Sequence, residues 1–142
     1  MKKSLIPLFL IMYPVFIFAQ TKEELEFTLR SIKGDFKITR IDSSKHFYTI
    51  NALNESSMRI LILQKKLKRK EYRNLNKESQ FDKLVVGKSY YFNLENWFYN
   101  FAIVGSPNDQ IIIDDKIIYD KQTSPYFVYE TINLKGIYYL PK

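Results

Sequence analysis

The order of apolar and polar positions divides the chain into stretches of different character. Leu5 to Phe18 is an unbroken apolar run, preceded by Met1-Lys2-Lys3-Ser4 and followed by Ala19-Gln20 before the chain turns polar at Thr21. Thr21 and Glu24 then have the spacing of a capping box, and Leu25, Leu29 and Ile32 recur at helical intervals before Gly34. This predicts a short N-terminal helix over about 22–33, against an alternative in which part of the stretch is extended, since Phe27, Thr28 and Ile32 also suit a strand. From Asp35 the period changes to that of a strand. Phe36, Ile38 and Ile41 form one candidate, Tyr48, Ile50 and Ala52 alternating with Phe47, Thr49, Asn51 and Leu53 a second, and Met58 to Leu63 a third, separated by Asp42-Ser43-Ser44-Lys45 and Asn54-Glu55-Ser56-Ser57.

The segment KKLKRKEYRNLNK (Lys65–Lys77) breaks that pattern. Its only apolar residues are Leu67, Tyr72 and Leu75, too thin a stripe for a deeply packed helix. It reads as an exposed loop or a helix lying on the surface. Order returns with Leu84, Val86, Tyr90, Phe92 and Leu94, which share one parity, while Gly87 predicts a bulge or bend inside the run. Ile111-Ile112-Ile113 and Ile117-Ile118-Tyr119 flank Asp114-Asp115-Lys116 as a hairpin would. Tyr126–Thr131 and Ile137–Leu140 are the last strand candidates. Short strands at intervals of about ten residues predict a mainly β domain. A polar excursion after the third strand favours a small antiparallel barrel like the oligonucleotide/oligosaccharide-binding (OB) fold, with a β-sandwich as the alternative.

The first stretch reads as an address. A short basic start, an apolar core and a small residue at Ala19 predict a signal peptide over residues 1–19, leaving a single β domain over 20–142. A spanning helix needs about 20 apolar residues. This run is shorter and carries Pro7 and Pro14, so no membrane span is expected in the mature chain. The expected location is the periplasm or the cell exterior. No cysteine is present, which excludes disulfides, a thiolate zinc site, a cysteine nucleophile and a bacterial lipid anchor.

Three segments carry a resemblance: the start ending FAQ, LVVGKSYYFNL (Leu84–Leu94) and NLKGIYYL (Asn133–Leu140). Together they resemble small exported proteins of Bacteroidetes-type bacteria with an OB-like β-barrel. The motifs are structural, a Gly-bent strand and an aromatic closing strand. The resemblance implies the barrel and export, and carries over no catalytic or binding residue.

Charge then narrows the search. The net charge of +7 falls to +5 once Lys2 and Lys3 leave with the signal peptide. Lys65, Lys66, Lys68, Arg69, Lys70, Arg73 and Lys77 face only Glu71 within their segment, so the excess positive charge is concentrated there. The first six are the candidate anion-binding residues, for nucleic acid, acidic polysaccharide or lipid headgroups; the plain alternative is a solvated surface. Trp97 and Tyr99 are a candidate aromatic surface for stacking on sugars or bases, extended by Tyr90 or Tyr91 and by Tyr126, Tyr129, Tyr138 and Tyr139, against the plain alternative of core packing.

Catalytic chemistry is thinly represented. His46 is the single histidine, beside Ser43, Ser44 and Asp42, and reads as an exposed turn residue. No spacing supports a metal site, a phosphate-cradling loop or a bound cofactor. The expectation is therefore a non-enzymatic exported binding module for an anionic polymer or a protein partner. The alternatives are a structural or inhibitory component of an envelope complex, and a hydrolase using two of Asp109, Asp114, Asp115, Asp120 and Glu130.

Overall fold

The computed structural model of the chain describes residues 30–75, 81–100 and 110–141, and for Tyr99 and Asn100 the backbone alone. Residues 1–29, which hold the expected signal peptide and most of the predicted N-terminal helix, lie outside that description, as do Lys77, Asp109 and the side chain of Tyr99.

Five strands close into a barrel: β1 (Ser31–Ser43), β2 (Phe47–Leu53), β3 (Arg59–Lys65), β5 (Ser89–Asn96) and β8 (Phe127–Thr131), in the order β1-β2-β3-β8-β5. All pairs are antiparallel except β3 with β8, which run parallel. The expected OB-like barrel is thus present, with one parallel seam rather than a wholly antiparallel wall. Closure depends on the length of β1. Its first half pairs with β5, from Ser31 opposite Glu95 to Lys37 opposite Ser89, and its second half pairs with β2, ending with Ser43 opposite Tyr48. A register shift between Ile38 and Arg40 marks the passage from one partner to the other, where a bulge bends the strand.

The interior follows from alternation. Phe36, Ile38, Ile50, Ala52, Ile60, Ile62, Tyr90, Phe92, Leu94 and Tyr129 point inward and form the main core. β3 is buried on both faces, because Leu61 and Leu63 point outward into a second cluster with Tyr119 and Val128. That cluster lies beneath a hairpin of β6 (Gln110–Ile113) and β7 (Lys116–Asp120). Its turn, Asp114-Asp115, has φ of 49° and 61°, the two left-handed residues of a type I′ turn, whose twist suits a tight hairpin. A small sheet of β4 (Asp82–Lys83), β10 (Tyr138–Tyr139) and β9 (Leu134–Lys135) contributes Leu134 to the main core, which Leu84, just after β4, also joins.

Two short helices complete the description: α1 (Arg69–Leu75) and α2 (Trp97–Asn100). Asn96 starts α2, its side-chain oxygen accepting the Phe98 N–H at 3.0 Å, as an N-cap does. No helix among the described residues is long and apolar enough to cross a membrane.

Two expectations are corrected. The predicted helix over 22–33 does not reach its predicted end, because Ser31, Ile32 and Lys33 are already in β1 and ladder with β5. The β pairing of Ile32 with Leu94 outweighs its helical spacing. Leu84 to Leu94 is also not one bent strand, because β5 begins only at Ser89, after a turn. Gly87, at φ 89°, sits in a turn closed by Lys88 N–H to Val85 C=O at 3.3 Å, and Val86 is exposed there while Leu84 is buried.

Candidate functional site

The basic stretch begins on the barrel wall. Lys65 ends β3 opposite Phe47, and the Lys66 N–H donates to the His46 carbonyl at 2.8 Å. The Lys66 ammonium lies 5.0 Å from the centre of the Tyr48 ring, a cation–π contact. Lys68 then starts α1: its N–H donates to Glu71 Oε2 at 2.7 Å, and its carbonyl accepts the Tyr72 N–H at 3.0 Å. Glu71, the one carboxylate of the segment, is therefore engaged in capping the helix. Leu75 is buried against the domain, and Arg69, Lys70 and Arg73 are exposed. At about 100° per residue they fall on the side of α1 opposite Leu75. None of the six candidate cations makes an ion pair among the described residues, in contrast to Arg40, which pairs with Asp42, and His46, which pairs with Asp114.

The hairpin divides the outer wall of the barrel into two concave regions. On one side lies a groove of about 810 Å³ between β7 and the outer faces of β1, β2 and β3. It carries Arg40, Arg59 and Lys116 against Asp42, with Ile117 and Tyr126 as apolar wall. Arg40 is held by Asp42, Nε to Oδ2 at 2.7 Å and Nη2 to Oδ1 at 3.0 Å. On the other side is a cavity of about 570 Å³ lined by β2, β3, β5, β8 and the start of α2. Here Trp97, Phe47 and Leu63 meet Lys65, Glu95 and Glu130. Glu95 and Glu130 are register partners across β5 and β8.

The hairpin's tip is docked onto the β1–β2 loop. The Lys45 N–H donates to Asp114 Oδ2 at 2.7 Å, and His46 Nδ1 lies 3.2 Å from Asp114 Oδ1. Desolvation pushes the Asp114 carboxyl up, but hydrogen bonds from the Ser44 side chain, the Lys45 N–H and His46, with the attraction of His46, together outweigh it and hold the group below the usual carboxylate range. The Ser44 hydroxyl also pairs with the Phe47 backbone. Its contacts are thus with Asp114 and Phe47 rather than with His46.

The structure therefore sorts the sequence candidates. Lys65 and Trp97, one from the basic set and one from the aromatic set, line the same cavity. Lys68, Arg69, Lys70 and Arg73 follow as a separate exposed surface, with Lys66 half-buried over Tyr48. Tyr90 and Tyr129 belong to the barrel core and offer no stacking face, since their strand parity turns them inward. Tyr91 is exposed. Tyr126 packs against the second cluster, and Tyr139 against the main core. Among the carboxylates, Asp114 and Asp115 are at the hairpin turn. Asp120 is at the hairpin's far end, accepting from the Gln110 side chain and the Gln122 N–H. Glu130 meets Glu95 instead of any of these. Glu95, Arg59 and Lys116 were not distinguished by the sequence pattern: they are single charged positions on outward faces, grouped only by register and by the hairpin's return across the wall. Among the described residues no group of three or more metal-ligating side chains converges.

Compared with protein-family models, with curated proteins and with solved structures, the chain finds no match.

Proposed function

We propose that the chain is an exported, non-enzymatic binding module that captures an anionic polymer through the basic surface of Lys65, Lys66, Lys68 and α1. The observation that carries this reading is the set of six cations over Lys65–Arg73 with no carboxylate partner among the described residues, three of them on the solvent side of α1. Charges so grouped add their potentials at one place and attract a polyanion more strongly than the same charges dispersed. Export is supported by the basic and apolar start of the chain and by its resemblance to small exported barrel proteins. No cofactor is part of the proposal.

The test is retention on immobilised heparin at low ionic strength, with elution by salt. The mature domain is expected to be retained, and an Arg69→Glu/Lys70→Glu/Arg73→Glu variant to elute much earlier at unchanged thermal stability. Passage of the wild-type domain through the column without retention contradicts the reading. In that event a protein partner is favoured by Ile112 and Ile117, cross-strand neighbours on the hairpin that are 60% and 54% exposed, as a component of an envelope complex would require.

A further inference from the structure

The barrel has no open edge, but the hairpin on its wall does. β7 pairs with β6 alone. No β6 residue lines the groove of about 810 Å³ that β7 shares with the outer faces of β1, β2 and β3, so the open edge of β7 borders that groove. Ile113 and Lys116 flank the two-residue turn and are register partners, the pair that exchanges both ladder hydrogen bonds in such a hairpin. The next residue, Ile117, therefore directs its N–H and C=O away from β6, and they have no partner among the described residues. The carbonyl after it, of Ile118, accepts the Tyr126 hydroxyl at 3.4 Å.

Charge and apolar surface converge on the same edge. Arg40 and Asp42 neutralise each other, whereas Arg59 and Lys116 form no ion pair among the described residues. The groove is thus cationic. Leu53, which is opposite Arg59 in the β2–β3 ladder, and Ile117 add apolar contact. Asn51 is on the outer face, since Ile50 and Ala52 occupy the inward positions. A strand laid along β7 would turn every second side chain toward this wall. An unpaired edge recognises another polypeptide backbone, because neither a sugar nor a nucleotide repeats N–H and C=O at ladder spacing. Lys116 on that edge disfavours pairing with another basic strand and attracts one that carries carboxylates.

We propose that β7 takes up an extended acidic segment of a partner protein as the third strand of the hairpin sheet, its backbone on Ile117 and its carboxylates on Arg59 and Lys116. This site is separate from the basic surface of α1 and does not depend on it. The probe is an end-blocked, fluorescein-labelled peptide of alternating Asp and Val, about eight residues long, followed by fluorescence polarisation. The wild-type domain is expected to bind it saturably, and to ignore a Lys-Val peptide of the same length. Arg59→Glu/Lys116→Glu is expected to weaken binding by about tenfold or more. Ile117→Pro removes the N–H that faces the groove, a change that an edge strand tolerates, and is expected to cost about tenfold. Should that variant fail to fold, the Asp-Val peptide N-methylated at alternate residues tests the same hydrogen bonds on the unaltered domain, and a similar loss is expected. Unchanged binding of the N-methylated peptide overturns strand addition, and unchanged binding by Arg59→Glu/Lys116→Glu overturns the role of charge. A heparin oligosaccharide that displaces the peptide, and is itself bound less tightly by Arg59→Glu/Lys116→Glu, assigns the groove to the polymer and overturns the peptide proposal. A concentration-dependent dimer of the free domain that is lost in Ile117→Pro assigns the edge to a second copy of this chain and overturns it equally.

Discussion

A pair of hydroxyls holds α1 against the small sheet. The Tyr72 and Tyr138 oxygens are 2.6 Å apart, and the rings meet edge to face at 5.7 Å. The hydrogen bond to Tyr72, with desolvation and the nearby Tyr72 and Tyr48 phenols, pushes Tyr138 up to about 12. A raised value means that this contact stabilises the fold while the phenol is protonated, and that the contribution is lost as pH rises through about 12. Tyr72→Phe is expected to bring Tyr138 back toward the ordinary phenol value, read from phenolate absorbance, with a stability loss below about 1 kcal/mol because the pair is partly exposed. Asp114 has the opposite sign. Its lowered value makes the hairpin's docking on Lys45 and His46 complete above the usual carboxylate range, and lost as pH falls through the lowered value. The protection factor of the Lys45 amide, measured against its intrinsic exchange rate at each pH, is expected to fall on acidification, and Asp114→Ala to remove the protection at every pH.

At the level of elements, two glycines separate conformational strain from crowding. Gly87 has φ 89° with open space where a Cβ would stand, whereas Gly136 has φ 59° and a Cβ there would lie 3.1 Å from Leu67 Cγ. Gly87→Ala is expected to cost about 1 kcal/mol from strain alone, and Gly136→Ala about 2 kcal/mol because the Leu67 side chain must also give way. Urea midpoints of the two variants check the order. The same elements mark what is legible in the pattern of residues. The alternation of Tyr48, Ile50 and Ala52, and the isoleucine runs around Asp114-Asp115, specify strands and a hairpin locally, and they form as expected. The start of β1 does not read as strand, because Ile32 fits a helical spacing and a strand period equally and only its partner Leu94 decides. The unit Leu84–Leu94 is split by a turn whose need for a left-handed residue is visible at Gly87, while the exposure of Val86 depends on where the small sheet lies.

For the whole molecule, the distribution of charge is the organising feature. The basic stretch is legible in the sequence because its residues are consecutive, and the structure carries it out on a loop and a short helix, beyond the last residue of β3. Its meeting with Trp97 is not legible: Lys65 and Trp97 are brought to one cavity by the closure of β3, β8 and β5, a long-range register that no local spacing encodes. Glu95 and Glu130 are likewise opposed only once β5 and β8 are paired. The barrel thus places a basic arm and a carboxylate-lined aromatic cavity side by side along the chain, joined at Lys65.

The measurement that tests this account most directly is the salt dependence of heparin binding by the wild-type domain and the Arg69→Glu/Lys70→Glu/Arg73→Glu variant. Each cation that displaces a counterion adds to the slope of log K against log salt, by roughly 0.9 per contact on duplex DNA. The account predicts a steep wild-type slope that falls in the variant by about three contacts' worth. A wild-type slope near zero, or a slope that the variant leaves unchanged, contradicts it.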